Sequence, residues 1–164
     1  MSDSYTAQWK SGFRGSGILP AETARKELEK IRKKNDGELN PQYVVNAAKS
    51  NRHKLHKFFD WDDTSAANEY RLTQARSIIR SIVVVRPELP DKEFREYHVQ
   101  RSKIEPRKQT YSTTAEIMQD PEARAELLQR ALGELLAVRR KFVVLQELTI
   151  VFRAIDEVLE TVKV

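Results

Sequence analysis

Beyond Pro121 the chain contains no further proline, and its apolar residues fall in one stripe: Leu128, Leu132, Leu135, Phe142, Leu145, Leu148, Phe152, Ile155 and Leu159. The successive steps are 4, 3, 7, 3, 3, 4, 3 and 4. That is close to the heptad rhythm of a helix that buries one face, with Arg139 where an apolar residue would be expected. Asp120 before Pro121 opens such a helix: the carboxylate caps free N–H groups, and the proline ring pre-sets φ at the first helical position. A helix continuing to about residue 162 would measure roughly 60 Å. A chain of 164 residues needs nothing so long. The stretch is therefore expected either to break or to pair with another chain, and self-association through it is the expectation carried forward.

Upstream, glycine and proline are scarce, at 5 and 6 residues, which favours helices over a turn-rich sandwich. Residues 1–19 hold Gly12, Gly15 and Gly17 without sustained periodicity and read as a flexible tail. Within it Trp9 and Phe13 alternate with Lys10 and Arg14. That pattern suits either stacking on bases or packing of the tail onto the domain. Pro20 opens a helix over 21–34, with Ala21, Ala24, Leu28 and Ile31 on one face and Gly37 as its stop. Asn40 and Pro41 open a second, short helix. Leu55, Phe58, Phe59 and Trp61 are expected to plug a small core. Asp62 or Asp63 would then cap a third helix over 64–80, buried through Ala66, Ala67, Tyr70, Ala75, Ile78, Ile79 and Ile82.

The run IVVVRPELP reads as a strand and a turn, FREYHVQ as a second strand, and residues 109–112 as a third. Thr113 and Glu116 fit a capping box for a short helix ahead of Pro121. The expected fold class is α+β, mainly α: an N-terminal helical unit, a small antiparallel sheet and a long C-terminal helix. The expected divisions are 1–19, 20–82, 83–112 and 113–164.

The net charge is +5, and the basic surplus lies in the front of the chain. Residues 1–60 carry 12 Lys/Arg against 7 Asp/Glu, whereas residues 111–164 carry 7 against 9. A basic front half suits polyanionic partners. There is no cysteine, which removes disulfide scaffolds, thiolate metal centres and thiol catalysis. No stretch is long and apolar enough to span a bilayer, and the first residues lack the apolar core of a signal peptide. Location in the cytoplasm of a bacterial host cell is the expectation.

Catalytic signatures are few. Neither a glycine-rich phosphate loop nor a serine nucleophile elbow is present. His53 and His56, followed by Asp60, Asp62, Asp63 and Glu69, form the one cluster with metal-ligating chemistry. The aspartates are equally explained as helix caps. Glu93, Glu96 and Glu105 lie near the strands without the spacing of a metal-ion nuclease. No cofactor, metal or catalytic residue is expected, and the chain reads as a non-enzyme. The basic run Arg32–Lys34 has a structural reason of its own, since cations in a last helical turn complement the helix dipole. The better candidates for nucleic-acid contact are Arg71, Arg76 and Arg80 on the third helix, and Arg101, Lys103, Arg107 and Lys108 in the turn that follows the second strand. A helix–turn–helix could be built from the first and second helices or the second and third.

The stretch LHKFFDWDDTSAANEYRLTQARSIIRSI resembles a segment shared by a family of uncharacterised phage and prophage proteins. The matching residues are Leu55, His56, Phe59, Trp61, Asp62, Asp63, Ala66, Ala67, Tyr70, Arg71, Gln74, Ala75, Arg76, Ile79 and Arg80. DPEARAELLQRALGELLAVRRKFVVLQEL is similar to the second half of the same family. The resemblance implies a phage-encoded origin and no particular site residues. Compact DNA-binding regulators and packaging components are common in that setting. The function expected is therefore DNA binding through basic helical and loop surfaces, with self-association through the C-terminal helix. The alternatives are a phage assembly or packaging component, or an effector that binds and inhibits a host protein.

Overall fold

The computed structural model describes residues 6–61, 65–86, 89–101, 104–105 and 108–162. The fold is α+β and mainly helical. The order of elements is β1 (Thr6–Trp9), α1 (Ala21–Lys34), α2 (Pro41–Ala48), α3 (Ser65–Ser81), β2 (Ile82–Arg86), β3 (Leu89–Arg95), β4 (Tyr97–Arg101), β5 (Gln109–Thr113), α4 (Thr114–Gln119), α5 (Pro121–Phe142) and α6 (Thr149–Val162). None of the helices described is long and apolar enough to cross a membrane.

The local signals act where the sequence puts them. The Asn40 side chain accepts from the Tyr43 N–H, and Pro41 takes the first position of α2. Thr113 and Glu116 form the reciprocal capping box: each side chain accepts from the other's backbone N–H, at 3.2 Å both ways. Asp120 accepts from the N–H groups of Glu122 and Ala123. After α1 the chain turns through Asp36 and Gly37, both at positive φ, and the Gly37 N–H closes onto the Arg32 carbonyl. Asp62 and Asp63, the expected cap of α3, lie outside the described residues.

The chain divides into two units, Met1–Glu116 and Ile117–Val164. In the first, one core runs through helices and strands alike. Leu28 of α1, Val44 of α2, Leu55, Ile78 and Ile79 of α3, Ile82 of β2 and Tyr97 of β4 are all essentially without solvent contact. Each such aliphatic side chain contributes on the order of 1.5–3 kcal/mol. This core joins α1, α2 and α3 to strands β2 and β4. Tyr70 corrects an expectation, for it is exposed. Within α3 the residues buried in this core are Ala75, Ile78 and Ile79, with Leu72 partly buried against the same core, and Tyr70 falls off that face.

The strands also differ from expectation. Residues 6–9 are no tail but the edge strand β1, pairing antiparallel with β2 in the register Ala7↔Val84. Trp9 and Phe13 close over Phe58, with ring centroids 4.6 Å apart for Trp9 and Phe13 and 5.8 Å for Trp9 and Phe58. Trp9 Nε1 donates to the Leu19 carbonyl at 2.7 Å. The two aromatics are thus spent on packing rather than offered to bases. β2 is the centre of a three-stranded sheet, β1–β2–β3, and its consecutive residues Ile82, Val83 and Val84 are all buried. That is what an unalternating β-branched run implies. The expected single strand over 94–100 is split at Glu96. There the chain leaves the first sheet and begins a second, the β4–β5 hairpin, with Val99 opposite Tyr111.

The second unit is a helical hairpin. The stretch from Pro121 breaks at Val143–Leu145, and α6 packs back against α5. Arg139, the apparent flaw in the apolar stripe, is ion-paired to Asp156 of α6.

Candidate nucleic-acid interface

The most strongly organised charge in the first unit surrounds Glu27, a carboxylate buried on α1. Lys30, one turn on, donates to Glu27 Oε1 at 2.8 Å. Lys54, from the loop after α2, approaches the same oxygen at 3.5 Å. His53 Nε2 lies 3.7 Å from the other oxygen. Burial acts to raise the Glu27 carboxyl, but the Lys30 hydrogen bond and the charges of Lys30, Lys54 and His53 outweigh it and hold the group below its ordinary range. His53 itself is lowered, first by burial and then by Lys30 and Lys54, against the pull of Glu27. Its Nδ1 accepts from the Leu55 N–H at 3.2 Å, which leaves the neutral ring's proton on Nε2, toward Glu27.

Around this hub α1 forms a groove of about 600 Å³. Its lining holds five cations, Arg25, Lys26, Lys30, Lys33 and Lys54, against two acids, Glu27 and Glu29. Lys26, Lys30 and Lys33 are exposed and stand at i, i+4 and i+7, so they share one helix face. The arginines of α1 are differently employed. Arg25 donates to Glu22 at 3.0 Å and faces Glu96 at 3.6 Å. Arg32 is held by Glu29 at 3.1 Å and by Glu116 at 2.5 Å. Burial pushes the Glu96 carboxyl up, against the opposing charge of Arg25. Beside it the buried Tyr97 hydroxyl donates to Glu29 at 3.1 Å. The arginines therefore tie α1 to Glu96 and to α4, whereas the α1 lysines are exposed, Lys30 among them held by Glu27.

The residues singled out from sequence are placed differently from one another. Arg71 serves the fold: its Nε donates to the Asp60 carbonyl at 2.7 Å and its guanidinium lies 5.1 Å from the Trp61 ring centroid. Arg76 and Arg80 lie toward the end of α3, and Arg80 Nε donates to the Tyr111 hydroxyl at 3.1 Å. Since Tyr111 faces Val99 across the hairpin, this contact brings Arg80 toward β4, whose last residue is the exposed Arg101. Arg71 is nine residues from Arg80, roughly 13 Å along the helix. Lys108 is exposed and paired with Glu105 at 2.7 Å. Lys103 and Arg107 lie outside the described residues. The outer face of α3 otherwise carries Tyr70, Thr73 and Ser77, all exposed. By contrast, Val44 and Val45 of α2 are buried, so α2 has little to offer as a reading helix.

His53 and His56 do not converge. His56 stacks on Trp61 with centroids 4.9 Å apart, and its Nδ1 lies 2.8 Å from the Ala48 carbonyl oxygen, away from the Glu27 hub. Among the described residues no three histidine or carboxylate side chains come together as a metal-binding group.

Sequence reasoning passed over Lys26 and Lys30, took Lys33 chiefly as a charge that ends α1, and passed over Lys54. The i, i+4, i+7 spacing of the first three was there to be read. Lys54 joins them only through the fold. No protein-family model, curated protein or solved structure matches this chain.

Proposed function

We propose that this chain is a non-enzymatic, phage-type DNA-binding protein of the bacterial cytoplasm, and that the lysine-lined groove on α1 is its phosphate-contacting surface. One observation carries the reading: Lys26, Lys30 and Lys33 stand in a row on the rim of a groove that Lys54 joins from another element. The row spans about 10 Å along the helix. A row of ammonium groups of that length suits contacts with neighbouring phosphates of one strand. Such contacts set position and affinity without reading sequence. The outer face of α3, with Tyr70, Thr73, Ser77, Arg76 and Arg80, offers hydroxyl and guanidinium groups of the kind that contact base edges, and Arg101 extends that surface.

The test is fluorescence anisotropy with a labelled duplex, comparing the wild type with Lys26→Glu/Lys33→Glu and with Arg76→Glu. Neither lysine has a hydrogen-bond or ion-pair partner among the described residues, so the double variant should stay folded, giving up about 1 kcal/mol or less of last-turn dipole interaction at Lys33, while losing DNA. Retention of DNA by that variant would move the interface off α1. A wild type that holds no duplex at about 50 mM salt would remove DNA binding altogether.

A further inference from the structure

The second unit exposes more apolar surface than a finished structure should. Among the described residues, Leu128, Leu135, Val138 and Phe142 of α5, Val143–Leu145 of the turn, and Ile150, Val151 and Val158 of α6 are all exposed large hydrophobic side chains. Buried apolar residues in α5 and α6 are only Leu132, Phe152 and Ile155. The exposed residues are ordered. Leu128, Ala131, Leu135, Val138 and Phe142 step by 3, 4, 3 and 4, the a and d positions of a coiled-coil seam. Leu132, Leu136 and Arg139 form a different row, and it is Arg139 that reaches Asp156 on α6. The seam is therefore not the face that α5 turns to α6. On α6 the same offset recurs. Phe152, Ile155 and Asp156 lie on the inner side, while Val151, Ala154 and Val158, one position ahead, are exposed. In two antiparallel helices the same one-residue offset turns both exposed rows to the same side of the hairpin.

We infer that this face is covered by a second copy of the chain, two hairpins closing as a two-fold symmetric four-helix bundle. Charge argues for self over another partner. Glu134 and Lys141 flank the α5 seam at equivalent heptad positions, seven residues apart. When two α5 helices run antiparallel about the midpoint of Leu135 and Val138, Glu134 of each copy faces Lys141 of the other. In the same register Phe142 stands opposite Ala131 and Leu135 opposite Val138, large against small. Residues 117–164 hold 7 basic and 8 acidic side chains, so two copies of this unit meet without net repulsion. A two-fold axis makes one patch serve as both halves of the interface. Two-helix hairpins with so small an interior acquire a sufficient core by pairing. The inference is independent of what the first unit binds.

Sedimentation equilibrium of the full chain, without nucleic acid, tests it. The wild type should have twice the chain mass at about 50 µM, and Leu135→Glu should have one chain mass; this range allows a dimer of ordinary affinity to be populated. Because Leu135→Glu could also unfold the hairpin, charge exchange is the sharper arm. Glu134→Lys should weaken the dimer by about tenfold, and Glu134→Lys/Lys141→Glu should restore it to within about threefold, with unchanged helical circular dichroism throughout. A monomeric wild type, or a double variant no tighter than the single, overturns the proposal.

Discussion

Lys30 Nζ lies 2.8 Å from Glu27 Oε1, and Glu27 is nearly closed to solvent while Lys30 is not. A buried acid thus holds exposed bases in place. The carboxylate fixes the Lys30 and Lys54 ammonium groups at the wall of the groove, and it also subtracts charge from the surface that they present.

Those two roles predict opposite effects for Glu27→Gln. Stability at neutral pH should fall by about 1.5–3 kcal/mol, the scale of a hydrogen bond to a charged group. Glu27 has a folded pKa below the ordinary value of 4.5, so its contribution is present above that value and is lost as pH falls through the folded pKa. Thermal melts from pH 7 to pH 3 should therefore show the gap between variant and wild type closing on the acid side. DNA affinity at neutral pH should rise, because the groove loses one negative charge.

The salt dependence of DNA binding should count the lysines. Each phosphate contact contributes about −0.9 to the slope of log affinity against log salt. Lys33→Ala and Lys54→Ala should each make the slope shallower by about one, measured by anisotropy over a salt series. Lys108→Ala, at a side chain already paired with Glu105, should leave it unchanged.

Gly15 is required by the aromatic lid. A Cβ built there would stand 2.7 Å from the Phe13 ring and 2.8 Å from that of Phe58. Neither ring can retreat easily, since Phe13 and Phe58 both rest against Trp9. Gly15→Ala should cost about 1–3 kcal/mol, the range for overpacking, and appear as a melting temperature lowered by several degrees. An unchanged melting curve would mean that β1 and its lid are not held as described.

Tyr97 should titrate abnormally. Burial first, then the charges of Glu29 and Glu96, raise its hydroxyl far above the ordinary value of 10.0. Its contribution to stability is complete below that ordinary value and is lost as pH rises toward the folded pKa. Ultraviolet titration should show one of the five tyrosines ionising only when the fold is lost. Tyr97→Phe should remove that late step and lower neutral stability by about 1 kcal/mol through loss of the bond to Glu29.

The sequence alone determined where helices α1, α2, α4 and α5 begin, because caps, prolines and apolar spacing act over a few residues, but it did not mark the break after Phe142 that separates α6 from α5. Asn40 with Pro41, Thr113 with Glu116 and Asp120 with Pro121 all work in the structure as local chemistry requires. It also determined that 82–86 is a strand. Only tertiary structure decided that residues 6–9 add an edge to that strand, for pairing across more than seventy residues leaves no local mark. Likewise Arg139 interrupts a stripe until Asp156 is seen beside it, and Arg71 looks available until Trp61 and Asp60 take it up. The groove is of both kinds. Helical periodicity places Lys26, Lys30 and Lys33 on one face, but Glu27 and Lys54 meet only when the loop after α2 folds against α1. Coulomb and hydrogen-bond energies depend on distance in space, and a sequence supplies that distance only along a single helix.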